Sequence, residues 1–94
     1  MVTSEEETEE EEIEIIKQNV RGFLKWFNFK NQYGFVRNLQ NEEFFVHGSG
    51  IILEPEKWQQ LLIEDQDVTF DIGRSGAEIF ACNLIILHHV QVAK

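Results

Sequence analysis

The sequence predicts an all-β domain folded as a small, closed or nearly closed five-stranded barrel. Three observations point there. Five short runs carry strand periodicity and are rich in β-branched and aromatic residues. Polar or glycine-containing turns separate most of them. Only one connection, residues 51–66, is long. Ninety-four residues make a single domain, and closing its sheet removes edges that would otherwise invite aggregation.

Residues 1–14 hold eight Glu and no Lys or Arg. Closely spaced carboxylates repel and bury nothing, so this acidic tail is expected to be disordered, with the folded domain spanning 15–94. Ile16–Phe29 mixes β-branched, aromatic and polar residues as a long first strand would. Lys30-Asn31-Gln32 is a polar turn, Tyr33–Arg37 a second strand, Asn38–Glu43 another turn, and Glu43–His47 a third strand. Short strands joined by short turns imply an antiparallel meander. Gly48-Ser49-Gly50 interrupts the pattern. In the long loop between strands three and four, Pro55 is placed to start a helical turn carrying Trp58, Leu61 and Leu62 on one side. Asp67–Ile72 alternates as a fourth strand, Gly73–Gly76 reads as a turn, and Ala81–Val92 as the fifth strand.

The net charge of −9 is unevenly distributed: −8 over residues 1–14, +5 over 15–41 and −6 over 42–94. The overall sign therefore hides a basic segment. No hydrophobic run approaches the ~20 residues that span a bilayer. The N-terminus lacks the basic start and apolar stretch of a secretory signal. Cys82 is the only cysteine, so no internal disulfide can form. Cys82, His47, His88 and His89 match no metal-binding spacing. An intracellular chain is expected, cytoplasmic with nuclear residence also open, and with no cofactor or membrane association.

The basic segment contains the densest aromatic run, Gly22 to His47, where nine of 26 residues are Phe, Trp, Tyr or His. Alternation places Tyr33 and Phe35 on one face, Phe45 and His47 on one face, and Trp26 with Asn28. If the three strands are neighbours, Trp26, Tyr33, Phe35, Phe45 and His47 form one patch, with Lys25, Asn28 and Lys30 nearby. The competing reading makes these rings core. Leu24, Val36, Phe44, Val46, Val68, Phe70, Ile72, Leu84 and Ile86 already supply an inward-facing set, however. An exposed ring patch interleaved with cations suits a planar, anionic partner: rings stack bases and cations follow phosphates.

At these residues the chain resembles the cold-shock domain family. Lys25-Trp26-Phe27-Asn28 is similar to its first-strand motif, Tyr33-Gly34-Phe35-Val36 to its first ribonucleoprotein motif, and Phe45-Val46-His47 to its second. The resemblance covers about residues 19–87. Within the family the chain resembles eukaryotic Y-box proteins most, through Pro55-Glu56-Lys57-Trp58-Gln59, Val68-Thr69-Phe70-Asp71 and Gly76-Ala77-Glu78. The resemblance implies an OB-type five-stranded barrel that binds single-stranded RNA or DNA, often to package, remodel or translationally control mRNA. It implies base stacking on Trp26, Phe35, Phe45 and His47. Lys25, Asn28, Asn31 and Tyr33 match residues that contact phosphates or base edges, and Glu43 matches an acidic residue facing a bound base. Glu78 matches a further polar contact, with Ile79-Phe80 inserted beside it.

The chain departs from that pattern in several places. Gln32 replaces a usual glycine, the turn before Glu42 is one residue shorter, and Glu54 and Glu56 stand where relatives tend to be basic. No basic extension follows Lys94, so binding weaker than a full Y-box protein's is expected. The functional expectation is a monomeric module in which Lys25, Lys30, Arg37 and Arg21 hold the backbone. The alternative is a protein-interaction domain on the same scaffold, whose nucleic-acid binding is weak or masked by the acidic tail. An enzyme is not expected, because no phosphate-binding glycine loop, metal cluster or nucleophile–base arrangement is present.

Overall fold

The computed structural model describes residues 12–87. Most of the expected acidic tail, and the end of the expected fifth strand, lie outside the described residues. Five strands form: β1 (Glu14–Asn28), β2 (Tyr33–Asn38), β3 (Glu43–His47), β4 (Asp67–Ser75) and β5 (Glu78–Ile86). A 3-10 turn at Gly48–Gly50 follows β3. The long connection holds a second one, Pro55–Lys57, which runs into a single helical turn, α1 (Trp58–Leu61). The sheet is a closed barrel in the order β1-β2-β3-β5-β4. Four of its pairings are antiparallel: β1–β2, β2–β3 and β4–β5 across short turns, and β1–β4 between strands distant in sequence. The closing one is parallel: β3 meets β5 only at Val46↔Ala81, beside an isolated parallel bridge Ile51↔Leu84.

The inward set fills the barrel. Leu24, Val36, Val46, Val68 and Leu84 are fully buried, and Phe70 nearly so. Phe44 is half-buried and packs against this cluster. Phe27, Ile51, Trp58, Leu62, Ile72, Ala81 and Ile86 complete it. Trp58 reaches the core from α1, with its indole N–H donating to the Leu53 carbonyl at 3.0 Å. The long loop thus caps one end of the barrel with a ring.

Strict alternation would put Leu24 and Trp26 on the same face. The structure separates them with a β-bulge. Leu24 pairs with Val36 and Trp26 with the very next β2 residue, Phe35, so Lys25 is the extra residue. As a result Leu24 and Phe27, three apart, both face the core, while Lys25 and Trp26 face outward. The backbones approach closely here. A Cβ on Gly34 would lie 2.3 Å from the Trp26 carbonyl oxygen and 2.8 Å from the Phe27 ring.

Two boundaries differ from the sequence expectation for identifiable reasons. Gly73 is not a turn residue. β4 runs through it to Ser75, and the turn is Gly76-Ala77, flanked by Ser75↔Glu78. Gly73 instead lies beneath the side chains of Ile13, Phe80 and Cys82, all 3.1–3.3 Å from where its Cβ would be. β5 consequently starts at Glu78 rather than Ala81. Beside the Gly76-Ala77 turn Glu14 opens β1 opposite Arg74, and its carboxylate accepts a hydrogen bond from Arg74 at 2.7 Å. The β1–β2 turn starts at Asn28, whose side-chain oxygen accepts from the Asn31 backbone N–H at 2.9 Å.

Gln32 ends that turn with φ 61°, in the left-handed region. A side chain there costs about 1–2 kcal/mol, against roughly 0.5–1 kcal/mol for the extra unfolded-state freedom of glycine. Gln32→Gly should therefore raise stability by about 0.5 kcal/mol, read as a higher denaturant midpoint. A lower midpoint would show that the Gln32 side chain contributes packing that outweighs its backbone strain.

Candidate nucleic-acid interface

Register aligns the outward residues of β1, β2 and β3 into rows across the sheet. Trp26, Phe35 and Phe45 form one row, and Asn28, Tyr33 and His47 the next. Arg37 and Glu43 form a third, with Phe23 on the β1 side. The rings touch in sequence. Trp26 lies 5.4 Å from Phe35 and 5.5 Å from Tyr33, centroid to centroid. Phe45 lies 5.9 Å from Phe35 and 5.7 Å from Tyr33, nearly parallel to the latter. Tilted and edge-on contacts at these separations hold rings firmly, yet leave faces free. Trp26 and Phe45 are each 40% exposed, whereas Val36 and Val46 on the reverse face of the same strands are fully buried.

His47 stands at the end of β3, exposed beside this strip. Its Nδ1 accepts the Ser49 backbone N–H at 3.1 Å, capping the Gly48–Gly50 turn. A neutral ring therefore carries its proton on Nε2. The Ser49 hydroxyl also lies 3.0 Å from Nδ1, so the side chain is oriented by the turn.

The cations are arranged around one carboxylate. Glu43 Oε2 receives Lys25 Nζ at 2.6 Å and Arg37 Nη2 at 3.1 Å, with Arg37 Nε at 3.2 Å. Lys25, next to buried Leu24, faces outward beside Trp26 on the same surface. The hydrogen bond from Lys25, then that from Arg37, holds the Glu43 carboxyl below its ordinary range. Lys30 and Arg21 make no ion pair with another described residue. Lys30 and Asn31 sit in the exposed β1–β2 turn, at the end of the strip and apart from the ring contacts. The side-chain oxygen of Asn28 is occupied in shaping that turn. Of the residues expected at the site, Lys25, Trp26, Tyr33, Phe35, Arg37, Glu43, Phe45 and His47 thus share one face.

Beyond Phe45 and His47 the strip opens into a groove of about 850 Å³. Its far side is built from Ile13, just before β1, from Ile15 within it, and from Glu78, Ile79 and Phe80 of β5. Sequence reasoning did not find this wall. The alternation of Ile13 and Ile15 was visible, but it lies at the border of the glutamate run. Phe23 was also missed, although its phase opposite Leu24 would have placed it outward.

The Glu43 cluster makes a pH-dependent contribution to stability. Because the folded state lowers the carboxyl's pKa, the contribution is present above the ordinary carboxylate range and is lost as pH falls through the lowered value. Glu43→Gln should melt below the unaltered chain at neutral pH, with the gap closing in acid. A gap independent of pH would mean that the ion cluster does not cause it.

The chain matches the family described as the 'Cold-shock' DNA-binding domain over residues 20–87. It is 37% identical to Y-box-binding protein 3 of Homo sapiens over 75 residues, which is 76% of this chain and 20% of that protein. With Y-box-binding protein 1 of Xenopus laevis it shares 40% over 68 residues, 68% of this chain and 22% of that protein. Cold shock-like protein CspB of Bacillus cereus is 40% identical over 65 residues, 69% of this chain and 95% of that protein. The chain therefore spans about a fifth of the two Y-box proteins and nearly all of the bacterial one. Family domains of this kind bind nucleic acid and are not enzymes. Barrel, motifs and matched span agree: the chain belongs to the cold-shock DNA-binding domain family.

Proposed function

We propose that the chain is a single-stranded nucleic-acid-binding module that stacks bases on the outward rings of β1, β2 and β3. The observation that carries this reading is the ladder of touching, part-exposed rings running from Trp26 through Phe35 and Tyr33 to Phe45. Every base has a face to stack, and such a ladder accepts them with little regard to sequence. His47 adds a ring at the end of the strip. Lys25 and Arg37 follow the phosphates, exchanging the Glu43 carboxylate for them, and Lys30 and Arg21 extend the basic margin. Glu43, released from its cations, faces the amino edges of bases. The setting we propose is mRNA binding, with packaging or translational regulation as its consequence and the monomer as the acting unit.

The cations predict affinity that falls as salt rises, through release of counterions. The rings predict a remainder that salt does not remove. Phe35→Ala and Phe45→Ala should each weaken binding of a short pyrimidine-rich oligonucleotide by about 1–3 kcal/mol while the barrel stays folded, read by quenching of Trp26 fluorescence and by circular dichroism. Unfolded variants that bind normally per folded molecule would place these rings in the core and the site elsewhere. Absence of binding by the folded, unaltered chain at low salt would remove the proposal.

A further inference from the structure

We infer that the aromatic and basic face has a second, intramolecular ligand: the acidic segment at residues 1–11 of the same chain. This names a regulation of the proposed nucleic-acid site and rests on that reading. Residues 1–11 carry Glu5, Glu6, Glu7, Glu9, Glu10 and Glu11 and no cation. The described chain begins at Glu12, and the next residue, Ile13, lines the groove whose opposite wall is Phe45 and His47. The glutamate run is therefore tethered at the rim of the strip. Ile13 and Ile15, which fix that point of entry, precede the family-matched span of 20–87. The placement is a property of this chain's own N-terminal strand.

Reach and chemistry both suit the contact. Two ring steps, 5.9 Å and 5.4 Å, separate Phe45 from Trp26 at the far side of the strip. Eleven residues can extend roughly 36 Å, which is several times that distance. The cations of the face already take a carboxylate, since Lys25 and Arg37 both close on Glu43. Lys30 and Arg21 have no ion-pair partner among the described residues. A run of carboxylates on a short tether is held at an effective concentration in the millimolar range. It offers these cations the same kind of charge as a phosphate backbone, but no bases. Such a ligand competes with weak, non-stacking phosphate contacts and yields to strands that also occupy the rings. The segment then acts as a filter: it raises the threshold for binding and favours single strands over other polyanions.

The test uses the full chain with all six glutamates of residues 1–11 changed to Gln, which leaves the barrel untouched. Nuclear magnetic resonance of the protein alone should show Lys25, Trp26 and Arg37 resonances displaced between the two forms, with the difference lost at high salt. Titration with a short oligothymidylate should give roughly tenfold tighter binding for the Gln form at low salt, converging at high salt as the charges are screened. Identical resonances on this face would overturn the inference even if binding tightened, because distant repulsion would then suffice. Displaced resonances with no oligonucleotide binding by either form would keep the tail contact and remove the nucleic-acid reading instead.

Discussion

The outer face of this barrel depends on one extra residue in β1. Without the bulge at Lys25, a strand that buries Leu24 would bury Trp26 as well and turn Phe27 to solvent. With it, two core residues and two surface residues are drawn from four consecutive positions. The cost is a tight backbone approach that only a glycine at position 34 admits, across from Phe27. Core packing and surface chemistry are thus coupled through a few backbone atoms. The motif Tyr33-Gly34-Phe35-Val36 is one expression of that coupling: two rings outward, a valine inward, and a glycine where no Cβ fits.

Much of this was legible in the chain. Strand β3 is bounded as its residues suggested, and β2 differs by one residue, because polar turn residues flank both and the hydrophobic alternation has a clear phase. The ring patch followed from the same alternation. What escaped was whatever depends on contacts distant in sequence. Gly73 looked like a turn because glycine is common in turns, but its smallness serves Ile13 and Phe80, which pack over it. The parallel closure of β3 on β5 leaves no local trace, since parallel neighbours share no turn. Alternation grouped Trp26 with Asn28 and the patch, but also with Leu24 of the inward set, and the bulge that separates the two appears only in the register.

The cation arrangement shows a similar limit. Counting Lys25, Lys30 and Arg37 in one segment revealed a basic stretch, but not that two of the three converge on Glu43. That convergence changes the meaning of the charges. The free protein presents a partly neutralised cluster, so phosphate contact is an exchange of partners and not the capture of an anion by bare cations. Exposed pairs of this kind contribute little to stability, which makes such an exchange inexpensive.

The closing contact of the barrel gives the fold a seam. Along most of its circumference the sheet is stitched by ladders of five to seven paired positions, but β3 and β5 are joined at Val46↔Ala81 alone, with Ile51↔Leu84 beyond. Phe45 and His47 stand on one lip of that seam, and Glu78 to Phe80 on the other. In mechanical terms the cylinder behaves as a split ring, stiff around its back and compliant across the gap. Whatever bridges the two lips acts as a clasp, so occupancy of this face and the rigidity of the whole barrel are two readings of the same closure.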